Sequence, residues 1–344
     1  MSFSSVSALL FRVKAAQAAD FPDSLSSTAS STVAIDPARC TFIFDACIKD
    51  RTKNTKNTAD YTSKETSNTS VGMAAALFIY VLDLSLDTSF SQVHQLLHVL
   101  YSSSEKSRAS CSKGAPQIFI VFSNWCGYYL FDQPYMWADI YILSEDDEKL
   151  VPKSLKNRIR YISSCKLSDH VSVTESHVQW ADWKVENEEK VKRYRKVAVG
   201  GTFDHLHAGH KVLLTMSAWI SSERVMCGVS DEKMLETKKY KEWIEPIENR
   251  IENVQRFFNI INKRLLCSVK PIYDIYGATI TDKDIEAIVV SEETRKGGEM
   301  VNEERLRRNM KALDLFCIKV IPDIEGSDLK LSSMSIREKM IKKD

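Results

Sequence analysis

The stretch Lys196–His210, KVAVGGTFDHLHAGH, restricts the possible folds more than any other part of the chain. Val197-Ala198-Val199 is a short apolar run that fits a buried strand of a parallel sheet. Gly200 and Gly201 follow, where the backbone can turn sharply or approach a ligand that a Cβ would block. His205, His207 and His210 then fall within six residues, although the 344-residue chain holds only seven histidines. Beyond Gly209, the residues Val212, Leu213, Met216 and Ile220 recur at helical spacing, which puts His210 in the first turn of a helix. A strand, a glycine turn and a helix N-terminus together form an anion site, because unbonded N–H groups and the positive end of the helix dipole both favour phosphate. His207 and His210, three residues apart, project from one side of that turn and can donate hydrogen bonds to phosphoryl oxygens. A buried histidine pair can also be purely structural. The coincidence of His-x-Gly-His with Gly-Gly-Thr-Phe-Asp, a strand and a helix favours chemistry.

From Lys196 onward, strands and helices alternate. Candidate strands are Val197–Val199, Arg224–Val229, Val269–Tyr273, Ala287–Val290 and Phe316–Ile321. Between them Ile247–Ile261 is the clearest helix, with Ile251, Val254, Phe257, Phe258 and Ile261 on one stripe. This is the α/β pattern of a doubly wound, five-stranded parallel sheet, Rossmann-like in class. With strand order 3-2-1-4-5, ligands bind beyond the carboxyl ends of the strands, at the switch between the first and fourth. The first strand ends in GGTFDHLHAGH and the fourth in Ser291-Glu292-Glu293-Thr294-Arg295-Lys296-Gly297-Gly298, so both loops are expected at one crevice.

Residues 1–184 read as an N-terminal α/β domain of unknown type, without a chemical motif. Ile118–Phe122 and Ile140–Leu143 look like strands, and Ser91–Tyr101 like an amphipathic helix. His94 and His98 lie four apart on that helix. No Glu completes a zinc motif and no third ligand is evident, so a structural role is expected. Residues 50–70 are polar and low in complexity, as in a disordered insertion. The apolar run Val71–Leu82 is a core segment rather than a membrane span, being a dozen residues long and followed by Asp83. Residues 185–195 are dense in charge and form the expected linker to the domain at 196–344. Few contacts are expected to cross there, so that the second half folds and works alone.

With 47 basic and 46 acidic residues, the chain offers no electrostatic case for nucleic acid or a membrane as partner. Eight cysteines without C-x-x-C pairs read as reduced thiols. Arg12 and Lys14 are the basic residues near the N-terminus, too few for a typical transit peptide; a cytoplasmic location is expected, with mitochondrial import the alternative.

The string Gly200–Lys211 resembles the His-x-Gly-His nucleotidyltransferase superfamily, and most of all its eukaryotic phosphopantetheine adenylyltransferases. Three further stretches carry the likeness. Ser291-Glu292-Glu293-Thr294 resembles the family's nucleotide loop, with Lys296 where an arginine is usual and Arg295 beside it; Asn302 and Arg305 match the pattern that follows. Asp231–Tyr240 resembles the loop whose lysine holds the phosphate of the nucleophile, with Lys238 the best match and Lys239 the second. Leu331–Arg337 resembles the superfamily's Ile-Ser-Ser-Thr-x-Ile-Arg helix start, with Met334 at the threonine.

The resemblance implies adenylyl transfer from ATP to 4′-phosphopantetheine, giving dephospho-coenzyme A and pyrophosphate in coenzyme A biosynthesis. It implies that His210 serves the transition-state oxygens and that His207 and Thr202 serve the triphosphate. Lys238, with Lys239, Thr202 and Arg295, would hold the acceptor. Gly201, Phe203, Ser291, Glu292, Thr294 and Lys296 would line the ATP site, and Ser332, Ser333 and Arg337 would take the leaving pyrophosphate. Mg²⁺ would arrive with ATP, as no carboxylate cage is visible. Other enzymes of coenzyme A synthesis are conceivable partners. No G-x-x-x-x-G-K-[ST] is present, so no dephospho-coenzyme A kinase step is expected of this sequence. The alternatives are a cytidylyltransferase or another adenylyltransferase with the same machinery, and a non-catalytic scaffold of the pathway.

Overall fold

The computed structural model describes residues 6–12, 40–48, 75–109, 115–133, 137–162, 192–319, 321 and 332–342. The polar stretch 50–70, Leu331, most of the N-terminal segment and residues 185–191 lie outside them.

The first half contains β1 (Val6–Arg12), α1 (40–48), β2 (Ala76–Leu82), α2 (Phe90–Ala109), β3 (Gln117–Phe122), β4 (Trp137–Ile142), the short α3 (Glu145–Glu148) and β5 (Ile159–Tyr161). Of the apolar run Val71–Leu82 expected to be core, Ala76–Leu82 form β2 and all seven of these are buried, while residues 71–74 lie outside the described residues. In the second half, β6 (Tyr194–Gly201), α4 (Ala208–Trp219), β7 (Ser221–Ser230), α5 (Ile247–Ile261), β8 (Leu266–Ile272), β9 (Ala287–Ser291), α6 (Arg295–Arg307), β10 (Asp314–Ile318) and α7 (Ser333–Ile341) follow in turn.

Each half makes a five-stranded parallel sheet. The orders are β3-β2-β1-β4-β5 and β10-β9-β6-β7-β8. Counted within its own half, each sheet therefore reads 3-2-1-4-5. The second sheet is the one expected from the sequence. The first half is α/β as expected, and the structure supplies the type that the sequence left open, a second sheet of the same doubly wound order. Residues 13–39, which follow β1, contain neither a glycine nor a histidine, so the repeat lacks the phosphate motif of its counterpart.

The two sheets share one apolar cluster that runs from Val6 to Ile321. α2 packs on α4, and α5 packs on the edge strand β3. Phe119 stacks on Phe257 with ring centres 6.4 Å apart, and Trp219 sits 5.6 Å from Phe122 and 5.4 Å from Trp125. Such pairs add about 0.5–1.5 kcal/mol each beyond the area they bury. Polar bonds tie the same seam: Asn262 Nδ2 donates to Trp125 O at 2.9 Å, and Lys263 N donates to Cys126 O at 2.9 Å. The expectation of a seam crossed by few contacts therefore does not hold among the described residues. Charge in a connecting segment reports that the segment is solvated, and says nothing about the faces that meet elsewhere.

His94 has the structural role expected of it, its Nε2 accepting from Lys319 N at 3.3 Å. No helix among the described residues is long and apolar enough to cross a membrane.

Candidate active site

β6 is buried at Val197, Ala198 and Val199, and it lies between β7 and β9 at the centre of its sheet. Its carboxyl end delivers Gly200 and Gly201 to the switch point against β9. A Cβ on Gly201 would stand 3.1 Å from the ring of Phe203, so this glycine makes room for Phe203. Phe203 and His205 both have left-handed backbone angles, with φ of 52° and 46°. Such angles are uncommon outside glycine and survive where surrounding bonds over-determine them. Here Glu245 accepts from His205 N at 2.7 Å, and Asp204 Oδ1 accepts from Glu245 N at 2.9 Å.

α4 begins at Ala208, with His207 in extended conformation as its N-cap residue. The rings of His207 and His210 stack, their centres 3.9 Å apart and tilted by 27°. The glycine between them permits this, since a Cβ on Gly209 would be 3.1 Å from the His207 ring. Phe203 meets the His210 ring edge-on at 5.4 Å. Both residues are partly buried, and Nδ1 of each is shielded from solvent and finds no partner among the described residues. Unsatisfied polar atoms of this kind mark a place where a ligand is expected.

Burial, and then the nearby charge of Lys211, lower the His207 pKa to about 3. Burial, His207 and Lys238 push His210 well below the ordinary histidine value. Both rings are thus neutral donors at pH 7. In the unfolded chain they take up protons near pH 6.5, and in the folded chain only far lower. The unfolded state therefore binds more protons between these values, and stability falls as the pH drops from 6.5 toward 3. An NMR titration of ring-labelled histidine should find both rings still neutral at pH 5; a midpoint near 6.5 for either would contradict this environment.

Lys238 lies in the loop after β7 and is close enough to depress His210. Its own pKa is lowered by burial and by Arg337, and raised in part by Asp204 and Glu293. The influence of Glu293 brings the loop after β9 to the same place, as the strand order requires. Lys239 is directed elsewhere, its ammonium 4.9 Å from the Tyr240 ring centre.

Other candidate residues are held by the protein itself. Arg337 is buried; its Nη1 pairs with Asp204 and its Nη2 donates to Lys239 O at 3.2 Å, while its Nε has no partner among the described residues. Ser332 caps α7 by accepting from Ser335 N at 3.2 Å, and Ser333 Oγ donates to Asp204 O at 2.8 Å. Ser291 and Thr294 form a capping box around Glu292, at the end of β9. Arg295 pairs with Glu299 at 3.1 Å on the surface, and Lys296 is exposed beside it. Asn302 and Arg305 are structural: Asn302 bonds Leu313 in both directions, and Arg305 is buried among four backbone carbonyls.

Asp204, His205 and Glu245 bring three possible metal ligands within 4.8 Å of one another. Their atoms are committed to one another, to Arg337 and to the Trp243 carbonyl, 3.0 Å from His205 Nε2. The most informative residue that sequence reading missed is Arg250. It is fully buried and donates to Thr202 O at 2.9 Å and Ser230 O at 2.8 Å, bracing the ends of β6 and β7. The signal was present, since Arg250 lies four before Val254 on the apolar face of α5.

Residues 198–339 match the family model described as cytidylyltransferase-like. The parallel sheet, its crevice and the stacked histidine pair define a nucleotidyltransferase. Over 150 residues the chain is 41% identical to the phosphopantetheine adenylyltransferase of Pyrococcus furiosus, a match that covers 44% of this chain and 91% of that protein. It is 38% identical to the phosphopantetheine adenylyltransferase of Saccharomyces cerevisiae over 156 residues, 45% of this chain and 51% of the yeast protein. An uncharacterized protein of Schizosaccharomyces pombe is 33% identical over 261 residues, 74% of this chain and 81% of that one. The chain belongs to the phosphopantetheine adenylyltransferase family. The 261-residue match is longer than residues 196–344, so it reaches into the first half as well.

Proposed function

We propose that this protein transfers the adenylyl group of MgATP to 4′-phosphopantetheine, forming dephospho-coenzyme A and pyrophosphate. The observation that carries the reading is the stacked, neutral His207–His210 pair at the start of α4, with unsatisfied Nδ1 atoms and Lys238 close by. A phosphate oxygen of the acceptor attacks the α-phosphorus of ATP. The bond from that phosphorus to the bridging oxygen breaks, and pyrophosphate leaves with its electron pair. The nucleophile is already an anion, so no serine, cysteine or general base has to be activated. Catalysis then consists of positioning and of stabilising charge on the α-phosphoryl oxygens.

His210 and His207 donate to the phosphoryl groups, and Lys238 holds the acceptor's phosphate. The leaving pyrophosphate lies against the first turn of α7, where Ser332 and Ser333 stand and backbone N–H groups favour an anion. Arg337 acts there through Asp204, fixing α7 on the catalytic loop. The metal enters with the nucleotide as MgATP.

Incubation with MgATP and a panel of phosphorylated nucleophiles, with pyrophosphate release as the readout, tests the proposal. Release should depend on 4′-phosphopantetheine. Release with another acceptor or with CTP alone would give a sister activity, and none with any acceptor would make the chain a scaffold. Lys238→Ala is expected to weaken binding of 4′-phosphopantetheine about tenfold or more while sparing ATP, as loss of a charge-assisted contact would. Calorimetric titration of each ligand decides it, and equal weakening of both would remove Lys238 from the acceptor site.

A further inference from the structure

Lys211 directly follows His210 and has no part in the chemistry above. It is 7% exposed, and its Nζ donates to Ile118 O at 2.8 Å. The same nitrogen lies 4.5 Å from the ring centre of Phe119. Both partners belong to β3, the edge strand of the first sheet, whose outer carbonyls would otherwise lack partners. Lys211 is also fixed within α4: its N–H donates to His207 O at 3.0 Å, and its carbonyl accepts from Thr215 Oγ1 at 2.7 Å. The turn that carries both histidines is thus anchored across the seam by the residue next to His210.

Its surroundings come from both halves. A cavity of about 240 Å³ beside it has Gln117 and Phe119 on one wall, and His205, Leu206 and Arg256 on the other. Burial, and then the charge of Arg108 on α2, bring its pKa down to about 7, against the opposing influence of Glu105 on the same helix. The amine donates a hydrogen bond in either protonation state. A lysine that only satisfied an edge carbonyl could stand anywhere along α4. This one stands in the first turn, where small displacements of the rings matter to catalysis.

We infer that Lys211 is a positioning residue: tethered to Ile118, it holds the first turn of α4 so that His207 and His210 keep their stacked arrangement, and it thereby makes the motif-free first half a working part of the active site. The inference rests on the function proposed above. It needs no contact between the first half and substrate.

The test uses the full chain with MgATP and 4′-phosphopantetheine. Lys211→Met, which keeps the bulk and loses the donor, should lower kcat about tenfold, as for a slight misplacement of a catalytic group, with both KM values within about twofold. Lys211→Gln keeps an N–H donor and should recover part of the loss. Phe119→Leu, in the other half, should lower kcat in the same direction, and its effect should not add to that of Lys211→Met. Wild-type kcat in Lys211→Met, independent effects in the double variant, or no recovery with Gln would each overturn the inference. Should Lys211→Met fail to fold, Phe119→Leu decides alone, and wild-type kcat there overturns it. Ring-labelled histidine NMR without substrate separates this question from that of function. The His207 pKa should rise in Lys211→Gln as the neighbouring charge is removed. If the wild type releases no pyrophosphate, the proposed function has failed, and His207 and His210 signals no more altered in Lys211→Met, which loses the tether, than in Lys211→Gln would dismiss the positioning role separately.

Discussion

Replacing His210 with alanine is expected to lower kcat by about a hundredfold or more, the cost typical of removing a preorganised donor to developing charge. KM should change little, because the contact strengthens as the α-phosphorus becomes five-coordinate and is weak in the ground state. The ring lies between His207 at 3.9 Å and Phe203 at 5.4 Å, so its removal also leaves a gap in the loop. His210→Asn controls for that, since it keeps an N–H near the same place and should retain more activity than the alanine variant. Steady-state kinetics on both, with thermal melts to verify folding, is the measurement. Near-normal kcat in His210→Ala would take this side chain out of the mechanism.

The second large effect concerns stability. Asp204 and Arg337 form an ion pair 133 residues apart in sequence, with Asp204 fully buried and Arg337 3% exposed. Removing one partner of such a pair strands the other charge away from water and costs about 3–5 kcal/mol. Asp204→Ala should therefore lower the urea midpoint by an amount corresponding to that loss, with little change in slope. The double variant Asp204→Leu with Arg337→Met should be more stable than Asp204→Ala, since it leaves no charge behind. A loss below about 1 kcal/mol in Asp204→Ala, the range of exposed pairs, would show that the pair does not hold α7 in place. Activity should fall as well, because Arg337 also reaches Lys239 O, next to Lys238, the residue proposed to hold the acceptor.

Legibility in the sequence followed the range of the interactions. α5 has the limits read from its apolar stripe, Ile247–Ile261, because periodicity is a local signal. β10 spans Asp314–Ile318 rather than Phe316–Ile321. It pairs only with the five residues of β9, and that partner sets its length. The histidine pair was readable because its motif lies in one stretch. The roles of Arg337 and Asn302 were not, since Asp204 and Leu313 reach them only through the fold. The packing of Phe203, buried with its ring against His210, was likewise set by the fold of the loop rather than by any periodic pattern. The topology of the first half was hidden for a similar reason. Its strands are separated by long stretches of weak pattern, and neither glycine nor histidine follows its first strand to mark the turn.

The shared seam also bears on how the chain is made. β3 leaves the ribosome well before the helices that cover it, since α5 ends about 140 residues beyond Phe122. At about 5–20 residues per second, that delay is roughly 7–28 s. Through it, Phe119, Phe122 and Trp125 wait without the α4 and α5 faces that finally enclose them, and so does the Ile118 carbonyl. Unpaired strand edges and bare aromatic surface are the features through which nascent chains associate wrongly. The interval between β3 and α5 is therefore when the aromatic surface of the seam stands bare.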